Sequence, residues 1–338
     1  MKKALYAGNE RIDIKTGDPL PPREDEVRVK VSHCGICGTD MHIFHGDMDQ
    51  RVDIPQPIGH EMSGTVDAVG EDGDWEAGDR VTVRPLDPCG ECPACQAGHS
   101  HICMNLDFLG IDTPGAMQGC WNVPAHTLHR IPESVQLKTA ALIEPLAVAC
   151  HDVRRCDLEP GEQAVVIGGG PIGILIALVA RQLGANPIVL EINPARVELV
   201  EELGLEALNP NETDVVQRVK ERTGGAGADV VFEVSATQAG ISLMTELPRP
   251  RGRMVTVGIC PEPLQVDLFQ FFWRELQLFG ARVYEPEDFE EAINLAASGE
   301  LPLDKLITRT IPLSRADEAF QAMESGSDVM KILVACQE

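Results

Sequence analysis

Four cysteines in one short segment are the residues of this 338-residue sequence whose types and spacing point most directly to chemistry. Cys89, Cys92, Cys95 and Cys103 stand in a stretch rich in glycine, proline and polar residues. Thiolates this close together can surround one tetrahedral Zn²⁺, and because sulfur would fill every coordination position, the ion is expected to be structural. A disulfide-bonded loop is the alternative. We disfavour it because no apolar run typical of a signal peptide opens the chain and because its eleven cysteines are odd in number.

A second group of metal-binding residue types lies upstream. Cys34 and Cys37 stand close together, and His60 and Glu61 follow in a separate segment. A thiolate, an imidazole and a carboxylate brought from separate segments suit a zinc ion with an exchangeable position, which predicts a catalytic metal. Taken singly, each residue has a plainer explanation: the cysteines as small buried hydrophobes, His60 as a core histidine and Glu61 as a surface acid.

A glycine-rich turn follows an apolar strand predicted over residues 164–167 and precedes a helix predicted over residues 171–183. Gly168 permits a tight turn, Gly170 lets the backbone approach a pyrophosphate, and Gly173 lets the helix pack closely on the strand. The helix N-terminus would face the phosphates of a dinucleotide. The residues predicted to contact it are Gly168, Gly170, Pro171, Ile172 and Gly173.

The strand that follows this helix ends in Glu191. A carboxylate at that place can accept hydrogen bonds from the adenosine ribose hydroxyls, and it would repel a 2′-phosphate. This favours NAD over NADP, although the nearby cation of Arg196 acts in the opposite direction. A glycine-rich turn in an α/β protein that binds no nucleotide is the alternative.

The elements that must position these residues differ along the chain. Residues 26–32 and 78–83 alternate apolar and polar side chains and are predicted to be half-buried strands. In the middle of the chain, short apolar strands alternate with helical segments, which is typical of a parallel α/β sheet of five or six strands. Helices are predicted over residues 288–297 and 314–323, and an apolar strand over residues 331–336 could rejoin the first part of the chain.

Length and charge narrow the class of protein. A chain of 338 residues favours two domains, and its 43% hydrophobic content without a long apolar run predicts a globular protein of the reducing cytoplasm with no membrane segment. The formal net charge of -25 would repel nucleic acid and anionic lipid. A small anionic substrate is not excluded, because a local arginine can outweigh distant carboxylates.

Taken together, the motifs occur in order through nearly the whole chain: CGICGTD at residues 34–40, GHE at 59–61, the four cysteines, and GGGPIG at 168–173. With them the chain resembles the zinc-containing medium-chain dehydrogenase/reductase family. The segment ALIEPL at residues 141–146 is similar to the polyol branch, typified by sorbitol dehydrogenase, in which a glutamate replaces a cysteine ligand of simple alcohol dehydrogenases.

The resemblance implies roles for individual residues. Cys37, His60 and Glu61 would bind a catalytic zinc, while Glu144 would be a direct ligand or a hydrogen-bond partner of the zinc-bound water. Asp40 would orient His60. The proton lost by the substrate would pass to Thr39 and then to solvent through His42, and Arg282 would hold a carboxylate, phosphate or distal hydroxyl of the substrate. A surface ion pair is the alternative for Arg282.

The resemblance also implies an overall organisation. We expect an α/β protein with a GroES-like β-rich catalytic domain over residues 1–150, a doubly wound Rossmann domain over 151–285, and a return to the catalytic domain over 286–338. Two zinc ions per chain, NAD and a homodimer or homotetramer are expected. The predicted reaction transfers a hydride from a secondary alcohol of a polyol or sugar-derived substrate to NAD. A sugar-acid (aldonate) dehydrogenase, an L-threonine 3-dehydrogenase and a non-catalytic NAD-binding protein with structural zinc alone are the alternatives.

Overall fold

The structure is a computed structural model that describes residues 1–71, 74–260, 262–326 and 329–337. The strands are β1 (Lys2–Tyr6), β2 (Ile12–Thr16), β3 (Glu26–Gly35), β4 (Gln56–Pro57), β5 (Glu61–Val69), β6 (Arg80–Val83), β7 (Leu86–Asp87), β8 (Asp107–Phe108), β9 (Cys120–Pro124), β10 (Leu128–Arg130), β11 (Gln163–Ile167), β12 (Asn186–Leu190), β13 (Glu206–Leu208), β14 (Ala228–Glu233), β15 (Pro248–Thr256), β16 (Gln277–Gly280), β17 (Ile307–Pro312) and β18 (Lys331–Ala335). The helices are α1 (Gly38–Phe44), α2 (Pro93–Gln96), α3 (Leu137–Ala140), α4 (Ile143–Arg155), α5 (Pro171–Leu183), α6 (Pro194–Glu202), α7 (Val215–Arg222), α8 (Gln238–Glu246), α9 (Leu268–Arg274), α10 (Pro286–Ser298) and α11 (Ala316–Ser325).

The chain forms two compact units. Unit 1 comprises Met1–Glu144 and Glu285–Glu338, and unit 2 comprises Pro145–Tyr284. The first boundary falls inside helix α4, whereas the sequence places it after residue 150. One continuous helix carries the chain across this boundary.

Unit 1 is built mainly on a seven-stranded sheet in the order β10-β6-β5-β3-β18-β17, with β9 also paired to β3. In β3 the valines Val27, Val29 and Val31 are buried, as the predicted alternation requires, and the strand continues to Gly35. The last strand, β18, pairs antiparallel with the end of β3, with Leu333 opposite Gly35. The two chain ends therefore build one sheet, and the segment that carries Cys34 and Cys37 lies beside the C-terminal strand.

Unit 2 contains a six-stranded sheet in the order β13-β12-β11-β14-β15-β16, and every strand pair in it is parallel. The central strands are apolar and buried, as expected of strands covered on both faces. The strand order reverses between β11 and β14, which is the place where doubly wound sheets bind their ligands. The architecture confirms the predicted fold class, and helix α5 has the predicted bounds.

Among the described residues, none of the helices is both long enough and apolar enough to cross a lipid bilayer.

Candidate active site and metal centres

The four cysteines of the loop form one cluster in unit 1, on the short helix α2 and the turns around it. Cys89 and Cys103 have their Sγ atoms 3.5 Å apart, as do Cys92 and Cys95, and the Cys92–Cys103 separation is 3.8 Å. A tetrahedral zinc with bonds of about 2.3 Å requires sulfur atoms about 3.8 Å apart. The cluster therefore fits one zinc ion surrounded by sulfur.

Backbone amides surround the sulfur atoms of this cluster. The amides of Cys89 and Asn105 donate to Cys103 Sγ at 3.4 and 3.3 Å, and the Met104 amide donates to Cys92 Sγ at 3.4 Å. The Met104 hydrogen bond, followed by the one from the Cys95 amide, lowers the pKa of the Cys92 thiol to about 6. Such donors favour the thiolate, which is the form that binds a metal.

A second cluster brings together Cys37, His60 and Glu61, whose ligand atoms lie within 4.8 Å of one another. Cys37 directly precedes helix α1, and His60 directly precedes strand β5, which begins with Glu61. The turn before α1 and the start of β5 thus supply three different donor types from two segments. Three protein ligands leave a tetrahedral zinc one position for a further ligand, as catalytic sites do.

The negatively charged groups around His60 favour a positive charge at this place. Burial alone would lower the pKa of the imidazole, but Asp40 and then Cys37 oppose it and raise the pKa to about 10. Asp40 Oδ1 lies 3.8 Å from His60 Nδ1, beyond hydrogen-bond distance, and Asp40 Oδ2 accepts from the Cys37 amide at 2.8 Å. His60 Nδ1 and Asp40 Oδ1 are buried and have no hydrogen-bond partner among the described residues. The concentration of negative charge suits a divalent metal.

Glu61 makes a buried ion pair with Lys331, the first residue of strand β18. Lys331 Nζ lies 2.7 Å from each oxygen of the Glu61 carboxylate and 3.1 Å from the Ile36 carbonyl oxygen. Burial alone would lower the pKa of the Lys331 ammonium, but Glu61 and Cys37 raise it above its usual value. Lys331 is not among the residues that the sequence predicts for this site. The sequence gives one indication of its role, because Lys331 begins a strand whose other side chains are apolar.

Gly35 provides the space in which the Glu61 carboxylate lies. A Cβ atom added to Gly35 would be 2.2 Å from Glu61 Oε2. The last residue of β3 is therefore glycine because a side chain there would displace the carboxylate from Lys331.

Glu144 does not belong to the set of ligand atoms that lie within 4.8 Å of one another. It is 4% exposed, stands in the first turn of helix α4, and its charge contributes to raising the pKa of both His60 and Lys331. Its predicted bond to the metal or to a metal-bound water stays a prediction.

Thr39 and His42 follow Cys37 on helix α1, three residues apart and so on one side of the helix. Thr39 is partly buried, and the His42 side chain is 41% exposed, with Nδ1 3.1 Å from Asp47 Oδ2. One helix therefore presents a hydroxyl and a solvent-accessible imidazole just after the thiol of the second cluster.

The glycine-rich turn lies in unit 2 between β11 and α5. Gly168 has a φ of +107°, and Gly170 precedes the helix, which begins with Pro171 and continues with Ile172. A Cβ atom on Gly173 would lie 1.9 Å from the Gly168 carbonyl oxygen, so only glycine lets the helix begin this close to the turn. A glycine turn between a parallel strand and a helix is the place where doubly wound folds bind a pyrophosphate.

Glu191 lies at the end of β12 and is held by backbone amides. Its Oε2 accepts from Gly169 at 2.8 Å, and its Oε1 accepts from Ile192 and Asn193 at 2.7 and 2.8 Å. The Arg196 guanidinium is 3.9 Å from Glu191 Oε2. The carboxylate is therefore fixed beside the turn, with a cation close by.

Arg282 is exposed and belongs to unit 2, just beyond strand β16, whereas both cysteine-containing clusters belong to unit 1. Its predicted contact with substrate stays a prediction.

The sequence matches two family models. One, described as the alcohol dehydrogenase GroES-like domain, matches residues 23–133, and the other, described as zinc-binding dehydrogenase, matches residues 171–298. The first covers both cysteine-containing clusters, and the second begins at Pro171 in the glycine-rich turn.

Relatives with described activities match almost end to end. The chain is 52% identical over 337 residues to a 2-dehydro-3-deoxy-L-galactonate 5-dehydrogenase of Pseudoalteromonas atlantica, which covers 99% of each chain. It is 32% identical over 319 residues to a sorbitol dehydrogenase of Halalkalibacterium halodurans, which covers 93% of this chain and 92% of the relative. A zinc-binding dehydrogenase structure from Sinorhizobium meliloti bound to NADP superposes with a TM-score of 0.92 at 31% identity and covers 99% of this chain and 98% of that one.

Proposed function

Because the chain belongs to the zinc-containing medium-chain dehydrogenase/reductase family of oxidoreductases, we propose that it oxidises a secondary alcohol of a sugar acid to a ketone and transfers the hydride to NAD. The observation that supports the sugar-acid substrate is the 52% identity over 99% of both chains to the galactonate-derivative dehydrogenase. The 5-hydroxyl of 2-dehydro-3-deoxy-L-galactonate is the proposed site of oxidation.

The residues proposed to hold the catalytic metal are Cys37, His60 and Glu61, with Glu144 as a further ligand or a partner of the water. A zinc ion bound there would supply Lewis acidity, which lowers the pKa of a substrate hydroxyl. Lys331 fixes the orientation of Glu61 by bonding both of its oxygens. A second zinc, held by the four cysteines of the loop, would be structural, giving two per chain.

The hydroxyl proton of the substrate needs an acceptor separate from the coenzyme. We propose that the Thr39 hydroxyl receives it and that His42 passes it to solvent. The 41% exposure of the His42 side chain and its hydrogen bond to Asp47 support this role. The hydride leaves the carbon that bears this hydroxyl and reduces NAD⁺ to NADH, so the oxidation releases one hydride and one proton, and each has an acceptor.

NAD is the proposed coenzyme rather than NADP. The Glu191 carboxylate, held by three backbone amides, is a suitable acceptor for ribose hydroxyls and would repel a 2′-phosphate. Arg196 offsets part of this repulsion because its guanidinium lies 3.9 Å from the same carboxylate. We therefore expect a preference for NAD with measurable activity on NADP.

A substrate and coenzyme screen tests the proposal. We expect the highest kcat/KM with 2-dehydro-3-deoxy-L-galactonate and NAD, and a kcat/KM for NADP lower by about tenfold, the equivalent of about 1.4 kcal/mol. Sorbitol, L-threonine and ethanol in the same assay represent the polyol, amino-acid and simple-alcohol classes. The production of NADH at 340 nm is the measurement. A higher kcat/KM for sorbitol or ethanol than for the sugar acid would contradict the sugar-acid assignment.

We also propose that the protein associates with a second copy through unit 2. Strand β16 is an edge strand of the parallel sheet. On helix α9, which precedes it, the exposed fractions of Leu268, Phe272 and Trp273 are 72%, 78% and 70%. Exposed apolar side chains on this scale are typical of interfaces. An end strand can pair with its own copy about a two-fold axis, which would cover the aromatic side chains of both copies.

Changing Trp273 to glutamate should shift the protein from an oligomer to smaller species. The change places a charge in an apolar interface, where it would lose its hydration. Multi-angle light scattering gives the mass directly. Leu20→Glu is the control, because Leu20 is equally exposed, at 70%, but belongs to unit 1. A wild-type protein that elutes as a monomer, or an equal loss of mass in both variants, would overturn the proposed interface.

We propose the cytoplasm as the location. The clustered cysteines support this, because they bind zinc as free thiolates and a reducing compartment keeps them so.

A further inference from the structure

Two histidines and a glutamate form a third cluster in unit 1, separate from both groups described above. His99 and His101 lie in the loop between Cys95 and Cys103, and Glu285 directly precedes helix α10. Their side chains are 56%, 8% and 19% exposed, respectively. The cluster thus combines one accessible imidazole with two largely buried groups.

The distances in this cluster agree with a shared metal ion. His99 Nδ1 and His101 Nδ1 lie 3.3 and 3.7 Å from the same carboxylate oxygen, Glu285 Oε1. All three ligand atoms lie within 4.8 Å of one another. In a tetrahedral zinc site with Zn–N and Zn–O bonds of about 2.0 to 2.2 Å, neighbouring ligand atoms are about 3.4 Å apart.

Two separate segments hold the three ligands. His99 precedes the 3₁₀ turn Ser100–Ile102, which stands immediately before Cys103, so the cysteine cluster fixes the histidine-containing loop. Glu285 is fixed by its backbone amide, which donates to Asp288 Oδ2 at 2.8 Å at the start of α10. The two histidines and the carboxylate are therefore brought together by two separately anchored segments, the loop between Cys95 and Cys103 and the start of α10.

We propose that His99, His101 and Glu285 form a third metal site, which takes a first-row divalent cation such as Zn²⁺. Imidazole ligands favour zinc and its transition-metal neighbours over Mg²⁺ and Ca²⁺. The three protein ligands leave a position for water, which the exposure of His99 allows. The ion ties the cysteine-containing loop to the start of α10. This site does not depend on the proposed reaction.

Titration of the purified holoenzyme with zinc sulfate tests the proposal. After gel filtration has removed loosely bound metal, isothermal titration calorimetry should detect one further equivalent of zinc. His99→Ala should weaken this binding at least about tenfold, because even the loss of a group that only orients a metal ligand costs about 10- to 100-fold in affinity. His99 is exposed, so the variant is expected to fold and to keep the tightly bound zinc of the parent.

His126→Ala is the matched control. The His126 side chain is 58% exposed and pairs with one carboxylate, that of Asp87, at 3.0 Å. We expect it to bind the further equivalent as the wild type does. As a second readout, excess zinc should raise the Tm of the wild type and of the control but not that of His99→Ala. Absence of a further equivalent in the wild type, wild-type affinity in His99→Ala, or equal weakening in both variants would overturn the site.

Discussion

Replacing Cys37 with alanine should reduce kcat by about 10³-fold or more and lower the zinc content by one ion per chain. The change removes one of the three clustered ligands and leaves His60 and Glu61 too few to hold the ion. The loss of a Lewis acid worth several kcal/mol corresponds to a rate decrease of this order. Activity with the sugar acid and NAD, together with metal analysis by mass spectrometry, provides both measurements on the same sample.

Cys34→Ala is the matched control for this change. Cys34 lies three residues earlier, is fully buried at the end of β3, and is not in the metal-binding cluster. The control should keep its zinc and most of its activity, at a modest cost in stability from the smaller side chain. If Cys37→Ala retained wild-type turnover, or if the two variants lost zinc equally, the proposed catalytic metal centre would be wrong.

Replacing Lys331 with methionine should lower the free energy of unfolding by about 3 to 5 kcal/mol, the typical cost of removing one partner of a buried ion pair. Glu61 is 1% exposed, and both of its oxygens bond Lys331, so the change leaves a buried carboxylate without its cation. Urea unfolding of protein from which a chelator has removed the catalytic-site zinc, followed by far-UV circular dichroism, measures the effect, because a bound zinc would itself pair with Glu61.

The double variant Lys331→Met with Glu61→Gln distinguishes the effect of an unpaired charge from the effect of altered side-chain packing. Removal of both charges should restore much of the lost stability, because no unpaired ion then stays in the interior. A single variant as stable as the wild type, or a double variant no more stable than the single one, would show that an unpaired Glu61 charge does not cause the predicted loss in the free energy of unfolding.

The pH range in which the ion pair acts follows from the pKa of Lys331. Folding raises this pKa, so the contribution is fully present below the unfolded-state value of about 10.4 and is lost as the pH rises through the folded value. The difference between wild type and Lys331→Met is therefore expected to be constant around neutral pH.

Local features of this molecule could be predicted from the sequence. The four cysteines are close along the chain, so their spacing alone indicates a common ligand, and the helix that begins at Pro171 is marked by glycine, proline and a continuous apolar face. In both cases the partners are near neighbours in sequence. The parallel sheet of unit 2 could also be predicted, because its central strands are short, apolar and separated by helices.

Long-range partners could not be predicted in the same way. Lys331 and Glu61 are 270 residues apart, and His99 and Glu285 are 186 residues apart. No local periodicity connects such pairs, because only the pairing of β18 with β3 and the position of α10 bring them together. The division of the chain inside helix α4 has no signal of its own in the sequence, because one continuous helix runs across it.

The place of strand β18 in the sheet bears on how the chain is made. During synthesis on the ribosome, the whole of unit 2 emerges before Lys331–Ala335, so the nascent polypeptide can complete the later unit while the earlier one still lacks an inner strand. Until β18 has been synthesised, Glu61 lacks its lysine partner and β3 has an open edge next to Cys34. The proposed metal centre can therefore reach its final form only after unit 2 has been synthesised.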